Sequence, residues 1–265
     1  MKNLKEFSST QITTLFTDID DTLTTHGRLP PESYEALWKL QRIGLRIVPL
    51  TGRPAGWCEM IARQWPVHGV IGENGAFYFR YQNNKMQRYF VVPESQRIAD
   101  KEKLQRIQSE VLSSVRGTAV ASDQFCRLFD LAIDFCEDVP PLDTTAIKKI
   151  VTIFEKHGAT AKVSSIHVNG WFGEYDKLTT CKIYCQRELG MDDEFSLLSE
   201  CAFIGDSPND EPMFGFFTNS FAVANIQDFK DQLRHFPKFV SNQNSALGFV
   251  EFSERLIQLN EGAKI

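Results

Sequence analysis

The stretch Ile12-Thr13-Thr14-Leu15-Phe16-Thr17-Asp18-Ile19-Asp20-Asp21-Thr22 decides the fold. A short apolar run ends in a cluster of carboxylates, as when a buried strand delivers acidic groups at its C-terminal edge. Working outward, the same grammar repeats. PPESYEALWKLQRIG (30–44) is an amphipathic helix with Pro at its start and Gly at its end, and LRIVPL (45–50) is a second strand. PAGWCEMIARQW (54–65) is another helix, and HGVIGENGA (68–76) is a third strand closed by Gly and Asn. Strand-helix-strand-helix-strand order predicts a parallel sheet with right-handed crossovers. Ligands of such sheets gather at the C-terminal strand ends.

From residue 77 to 171 the pattern changes. FYFRY and QRYFVV flank a polar turn and read as a hairpin, a charged helix spans 94–115, and RLFDLAIDF (127–135) reads as a strand. A helix ending on Gly158 and strands near 160–163 and 165–171 follow. After Lys177 the alternation resumes with a helix, the strand CAFIG (201–205), a helix from about 208, the strand SFAVA and a closing helix near 247–258. The expected class is α/β: a Rossmann-like parallel-sheet core from residues 1–76 and 172–265, carrying an inserted α+β cap at 77–171.

Composition narrows the function. With 42% apolar and 24% charged residues and 21 Phe, the 265-residue chain is an ordinary globular protein with ample core material. Its 29 Lys and Arg against 34 Asp and Glu leave a charge of -5, with no electrostatic footprint for nucleic acid. The N-terminus lacks a signal-peptide pattern and no run of eighteen apolar residues occurs, so a cytoplasmic location without membrane contact is expected. Six scattered Cys read as reduced thiols. Cys181 and Cys185 lie four apart on a helix, but no His or second Cys pair accompanies them at zinc spacing.

Four signals stand at strand ends. Asp18 and Asp20 are two apart in an extended segment and face the same way, which suits a nucleophile beside a general acid; a helix cap or turn cluster is the plainer alternative. Thr51-Gly52-Arg53 closes the second strand, offering a hydroxyl and free helix-terminal amides to an anion, or simply a helix cap. Lys177 opens a helix directly after the insertion, where a lone surface Lys would be ordinary. Gly205-Asp206-Ser207-Pro208-Asn209-Asp210 places two carboxylates and an amide on a strand-helix turn, hard oxygen donors suited to Mg²⁺.

In this order, DIDDT, LTGR, Lys177 and GDSPND resemble the motifs of the haloacid dehalogenase superfamily of phosphatases, over residues 13–224. The place of the insertion is similar to that in the subgroup of sucrose-phosphate phosphatase, mannosyl-phosphoglycerate phosphatase, phosphomannomutase and the Cof-type phosphatases. Asp21 departs from the commoner Gly without disturbing the DxDxT spacing. The resemblance implies that Asp18 attacks phosphorus and that Asp20 protonates the leaving oxygen. It further implies that Asp18, the Asp20 carbonyl, Asp206 and Asp210 serve a Mg²⁺ cofactor, and that Thr51, Gly52, Lys177 and Asn209 bind the phosphoryl group.

The insertion offers a pattern without a motif. Ser165, His167, Asn169 and Trp171 alternate with Ile166, Val168 and Gly170, and Asp130 and Asp134 share a face opposite Phe129, Leu131, Ile133 and Phe135. The apolar faces should pack on the insertion's helices. The polar faces, with Arg53 below, should then roof the cleft and meet a hydroxyl-bearing ring, Asp130 and Asp134 repelling a second phosphate. The partner expected is a small phosphorylated metabolite, a sugar or polyol monophosphate. A phosphomannomutase-like sugar phosphomutase is the near alternative, with a receiver module and a non-catalytic binding protein as further ones. Receivers lack a second carboxylate at the position of Asp20 and a large insertion.

Overall fold

In the computed structural model, which describes residues 1–9, 11–164 and 166–262, the acidic run does sit at the end of a buried strand. Thr14–Thr17 is fully buried and pairs in parallel with Cys201–Gly205 on one side and Arg46–Pro49 on the other. The six-stranded sheet runs Lys2–Asn3, Phe239–Val240, Asn219–Ala222, Cys201–Gly205, Thr14–Thr17, Arg46–Pro49, all parallel. Two-residue strands are too short to show periodicity, so Lys2–Asn3 and Phe239–Val240 escape the sequence reading.

Strand alternation divides the core. Leu15, Ile47, Ala202, Ile204 and Phe221 point into one apolar cluster with the Pro31–Arg42 and Ala55–Gln64 helices. Phe16, Val48, Phe203 and Ala222 point into the other, against Lys177–Leu189 and Glu211–Phe216. Strands buried on both faces are what helix-covered parallel sheets require.

The inserted region carries a separate four-stranded antiparallel sheet, ordered Ala119–Val120, Leu131–Asp134, His167–Trp171, Thr160–Val163. Leu131, Ile133 and Val168 bury their side chains against Leu104, Ile107, Ile150 and Phe154 of the Glu94–Ser114 and Thr144–Lys156 helices. The fold is thus the expected α/β core with an antiparallel α+β insertion.

Two details differ from the sequence reading. The hairpin Phe77–Gln82 and Lys85–Phe90 pairs with Val70–Gly72 in its own three-stranded sheet, and Phe77 and Phe79 pack in the parallel unit's core. By sheet membership we infer that the inserted unit starts after Phe90 rather than at residue 77. The strand read across 127–135 is regular only over Leu131–Asp134. Its first residues are diverted because Leu128, Phe129 and Asp130 give their backbone N–H groups to the Glu73 carboxylate, at 2.6 to 3.2 Å. Among the described residues, no helix is long and apolar enough to cross a membrane.

Candidate active site

Three parallel strands end side by side, and each releases one of the predicted groups. Asp18 follows Thr17 and gives its N–H to Ile204 O at 2.9 Å, while Asp206 follows Gly205 on the adjacent strand. Thr51 follows the third strand and accepts the Arg53 N–H at 3.0 Å through its hydroxyl. Gly205 is obligatory here, because a Cβ would collide with the Asp210 carboxylate tucked beneath it. At Gly75 (φ 107°) a Cβ would meet the Asp176 carbonyl. That close approach, with the Thr180 hydroxyl donating to Gly75 O, seats the start of the 177–189 helix against the strand ends.

Lys177 is thereby delivered to the acidic cluster. Its Nζ donates to Asp18 Oδ1 at 2.6 Å and to Asp210 Oδ1 at 3.0 Å, all three groups being buried. Asp210 Oδ2 accepts the Asp206 N–H at 3.2 Å, and Asn225 donates to Asp206 Oδ2 and to the Asp21 carbonyl. Asp18, Asp206 and Asp210 offer oxygens within 4.8 Å of one another, the one such group of potential metal ligands among the described residues. Burial, joined by Asp210 and Asp20, pushes the Asp18 carboxyl up to about 8 despite Lys177. Burial also drives Asp206 well up, with Asp18 and Asp210 adding to it. Burial alone would lower Lys177, but Asp18 and Asp210 more than offset it and hold it upward. A lone Lys does not neutralise three buried carboxylates. The donor set, hard and purely oxygen, fits a divalent cation such as Mg²⁺.

Asp20 projects to the other side. Arg53 grips it with Nε 3.1 Å from both carboxylate oxygens and Nη2 2.8 Å from Oδ1. Above lies a cavity walled by Asp18, Asp20, Gly52, Arg53, Asp206 and Asn209 from the parallel unit and by Ile166, His167 and Asn169 from the insertion.

The expected residues divide accordingly. Asp18, Asp20, Gly52, Arg53, Asp206, Asn209, His167 and Asn169 line the cavity. Thr51, Lys177 and Asp210 stand just behind it. Asp130, Asp134 and Trp171 do not reach it. Asp130 is buried against Arg127 at 3.1 Å and accepts from Asn169, so its charge is spent internally. Asp134 accepts the N–H groups of Cys136, Glu137 and Asp138, pinning that turn. Trp171 stacks on Tyr175 and borders a separate pocket beside Lys177. Phe129, expected on the insertion's own apolar face, packs instead in the parallel unit's cluster, and Ile166 faces the cavity. Ser165 lies outside the described residues. Cys181 and Cys185 are buried free thiols.

Sequence reasoning missed Asn74, Arg127, Ser164 and Ser207 in the cavity wall, and Glu137 behind it. Arg127 donates to the Gly52 carbonyl at 2.9 Å, joining the insertion to the phosphate-loop candidate. Glu137 lies 3.3 Å from Arg53 Nη1 and 2.9 Å from His167 Nε2, the latter without hydrogen-bond alignment. His167 first, then Arg53, pull the Glu137 carboxyl down to about 2, against burial. Only positive φ at Glu73 (42°) and Asn74 (56°) had a trace in sequence, in the GENG run.

Residues 15–121 match a family model described as haloacid dehalogenase-like hydrolase. Over that stretch the chain is similar to the haloacid dehalogenase-like hydrolases. No curated protein matches this chain in sequence. Among solved structures it is similar to a Thermoplasma acidophilum protein at 18% identity and TM-score 0.73, covering 94% of this chain and 99% of that one. A phosphatase of the haloalkanoate enzyme superfamily from Bacteroides thetaiotaomicron shares 19% identity at TM-score 0.62, over 95% and 96% of the two chains. The sucrose-phosphatase of Synechocystis, solved with sucrose and phosphate, shares 16% identity at TM-score 0.62, over 93% and 98%. At these identities the likeness is one of fold.

Proposed function

We propose that this protein is a haloacid dehalogenase-like, Mg²⁺-dependent phosphatase of a small phosphomonoester, working through an aspartyl-phosphate on Asp18. The observation that carries the reading is the placement of Asp18 between Lys177 and the Asp206–Asp210 pair, with Asp20 two residues on and aimed into the same cavity.

Asp18 Oδ attacks phosphorus, and the bond from phosphorus to the ester oxygen breaks. Asp20 gives that oxygen its proton, then takes one from the water that cleaves the acyl phosphate, returning both carboxyls to their starting states. Lys177 and the Thr51 hydroxyl, with Asn209, hold phosphoryl oxygens and oppose their charge. Asp18, the Asp20 carbonyl, Asp206 and, behind them, Asp210 would hold Mg²⁺. The cation would supply charge neutralisation for the carboxylate cluster and the phosphoryl group.

A sugar or polyol monophosphate suits the cavity, whose upper wall offers an imidazole and an amide to hydroxyl groups. The sucrose-phosphatase of the same fold supports that substrate class.

The test is phosphate release from a broad panel of phosphorylated metabolites with Mg²⁺, followed by acid quench of Asp20→Asn with radiolabelled substrate. A sugar or polyol phosphate should head the panel, and protein-bound label should be released by hydroxylamine. Absence of turnover across the panel would refute the reading.

A further inference from the structure

A chain of ionic contacts crosses from the parallel-sheet unit into the insertion through Asp20. Asp20 occupies the Nε–Nη2 edge of the Arg53 guanidinium, and at the remaining corner, Nη1, Glu137 lies at 3.3 Å with Asp123 farther off at 3.9 Å. The Trp57 ring lies 4.6 Å from the same guanidinium, covering its face. A guanidinium is a rigid plane, so fixing two edges and a face fixes the whole fork. Arg53 itself is buried, which removes water as a competing partner.

Glu137 is not a loose surface carboxylate. The three N–H bonds to Asp134 hold its turn at 2.8 to 2.9 Å, and His167 flanks its other oxygen. Of the two carboxylates the insertion brings to Arg53, Glu137 is the nearer and the one in hydrogen-bond contact with the arginine that orients the acid. Asp134, which the sequence suggested as a substrate contact, shapes that turn instead.

We propose that Glu137 is a positioning residue that acts through Arg53 to place Asp20 when the insertion is seated on the parallel-sheet unit. The inference rests on the phosphatase reading and on the role given there to Asp20. Proton delivery to the leaving oxygen demands a hydrogen-bond geometry, and loss of one corner of the Arg53 clamp lets the Asp20 carboxyl swing off line. The attack by Asp18 needs no such help. Esters with good leaving groups should therefore be indifferent to Glu137, and esters with poor ones should depend on it.

Glu137→Gln, isosteric and uncharged, is assayed on phenyl phosphate and p-nitrophenyl phosphate, which are alike in size and differ in leaving-group basicity. We expect kcat/KM to fall about 10-fold for phenyl phosphate and less than about 3-fold for p-nitrophenyl phosphate, a fraction of the ~10²–10⁴ available from general acid catalysis. Glu137→Asp should recover part of the loss. In an Asp20→Asn background, Glu137→Gln should cost nothing further, because the group it positions is gone. Equal losses on both esters, no loss on either, or a full additional loss in the Asp20→Asn background would each overturn the proposal. If the wild-type protein hydrolyses neither ester nor any metabolite of the panel, the phosphatase reading falls first and takes this one with it. A thermal midpoint for each variant separates these outcomes from misfolding.

Discussion

Lys177 donates to Asp18 across 2.6 Å although the two lie 159 residues apart in sequence. The later part of the chain between them, from Glu94 to Trp171, carries an antiparallel unit with its own core, so the site is completed by the return of the chain to the parallel sheet. Asp18→Asn should therefore keep the fold and lose the chemistry. An amide cannot serve as the anionic nucleophile, and we expect a loss of at least ~10³-fold in kcat. Circular dichroism should be unchanged, and retention of more than a few per cent of the wild-type rate would contradict the assignment.

Metal dependence follows from the charge count. Three buried carboxylates face one Lys, so a divalent cation should both activate and stabilise the protein. Chelation should silence turnover and lower the thermal midpoint, Mg²⁺ should restore both, and Ca²⁺ should restore turnover poorly because its looser, longer coordination misplaces the reacting groups. Asp206→Asn should abolish the Mg²⁺-induced rise in midpoint. Full activity in excess chelator, or an unaltered midpoint, would count against the site.

Glu73 is the pin between the two units. It is buried and accepts from Ala55, Leu128, Phe129 and Asp130, while burial and the Asp130 charge push its carboxyl up to about 8. Glu73→Ala leaves those N–H groups without acceptors and should cost ~3–5 kcal/mol of stability by urea unfolding. Glu73→Gln keeps one carbonyl and should cost less. Equal midpoints for the wild type and the Ala variant would show that the pin is not needed.

How much of this was legible in sequence depends on how local the signal is. Asp18, Asp20, Thr51, Asp206 and Asp210 follow apolar runs that must be strands, so their gathering at one sheet edge could be read directly. Glu137, Arg127 and Asn74 gave no such sign. Their roles arise from pairing between the insertion and the strand ends, and nothing within a few residues of them encodes that distant contact. Asp130 and Asp134 were misread because alternation tells which face a residue takes but not what waits there. Arg127 claims the first and the turn 136–138 the second. The hairpin 77–90 reads alike wherever its edge pairs, and its ladder to Val70–Gly72 is a contact that its own pattern does not encode.

His68 predicts a pH dependence away from the site. Its Nδ1 lies 2.7 Å from the Tyr184 hydroxyl, and its Nε2 takes the Arg80 guanidinium at 3.0 Å, so the neutral ring donates from Nδ1 and accepts at Nε2. Burial, then the charges of Arg80 and Arg46, bring it from 6.5 down to about 4. Between those values the unfolded chain binds more protons, so stability rises with pH across the window and the contribution is lost as pH falls toward 4. Discounted for a ring partly open to solvent, the effect is ~1–2 kcal/mol. Urea midpoints of the wild type minus those of His68→Gln, measured at pH 7 and pH 4.5, should differ by that amount. A pH-independent difference would rule it out.

Asn169 tests the substrate class. One Nδ2 hydrogen is committed to Asp130 Oδ2 at 2.9 Å, which is itself held by Arg127, and this fixes the carboxamide within the cavity wall with its carbonyl as an acceptor and one N–H as a donor. A fixed acceptor opposite the phosphoryl site suits a hydroxyl of the leaving group and has nothing to offer a nitrophenyl ring. Asn169→Ala should therefore lower kcat/KM for the preferred sugar or polyol phosphate by ~10-fold, equivalent to about 1.4 kcal/mol, chiefly through KM. For p-nitrophenyl phosphate it should change little, since that ester draws on the carboxylate site alone. Asn169→Asp should do worse than Ala, because a new charge beside Asp130 strains the Arg127 pairing and faces the phosphate. Equal losses for both esters would mean that Asn169 only braces the insertion, and the absence of loss for either would remove this wall from substrate recognition.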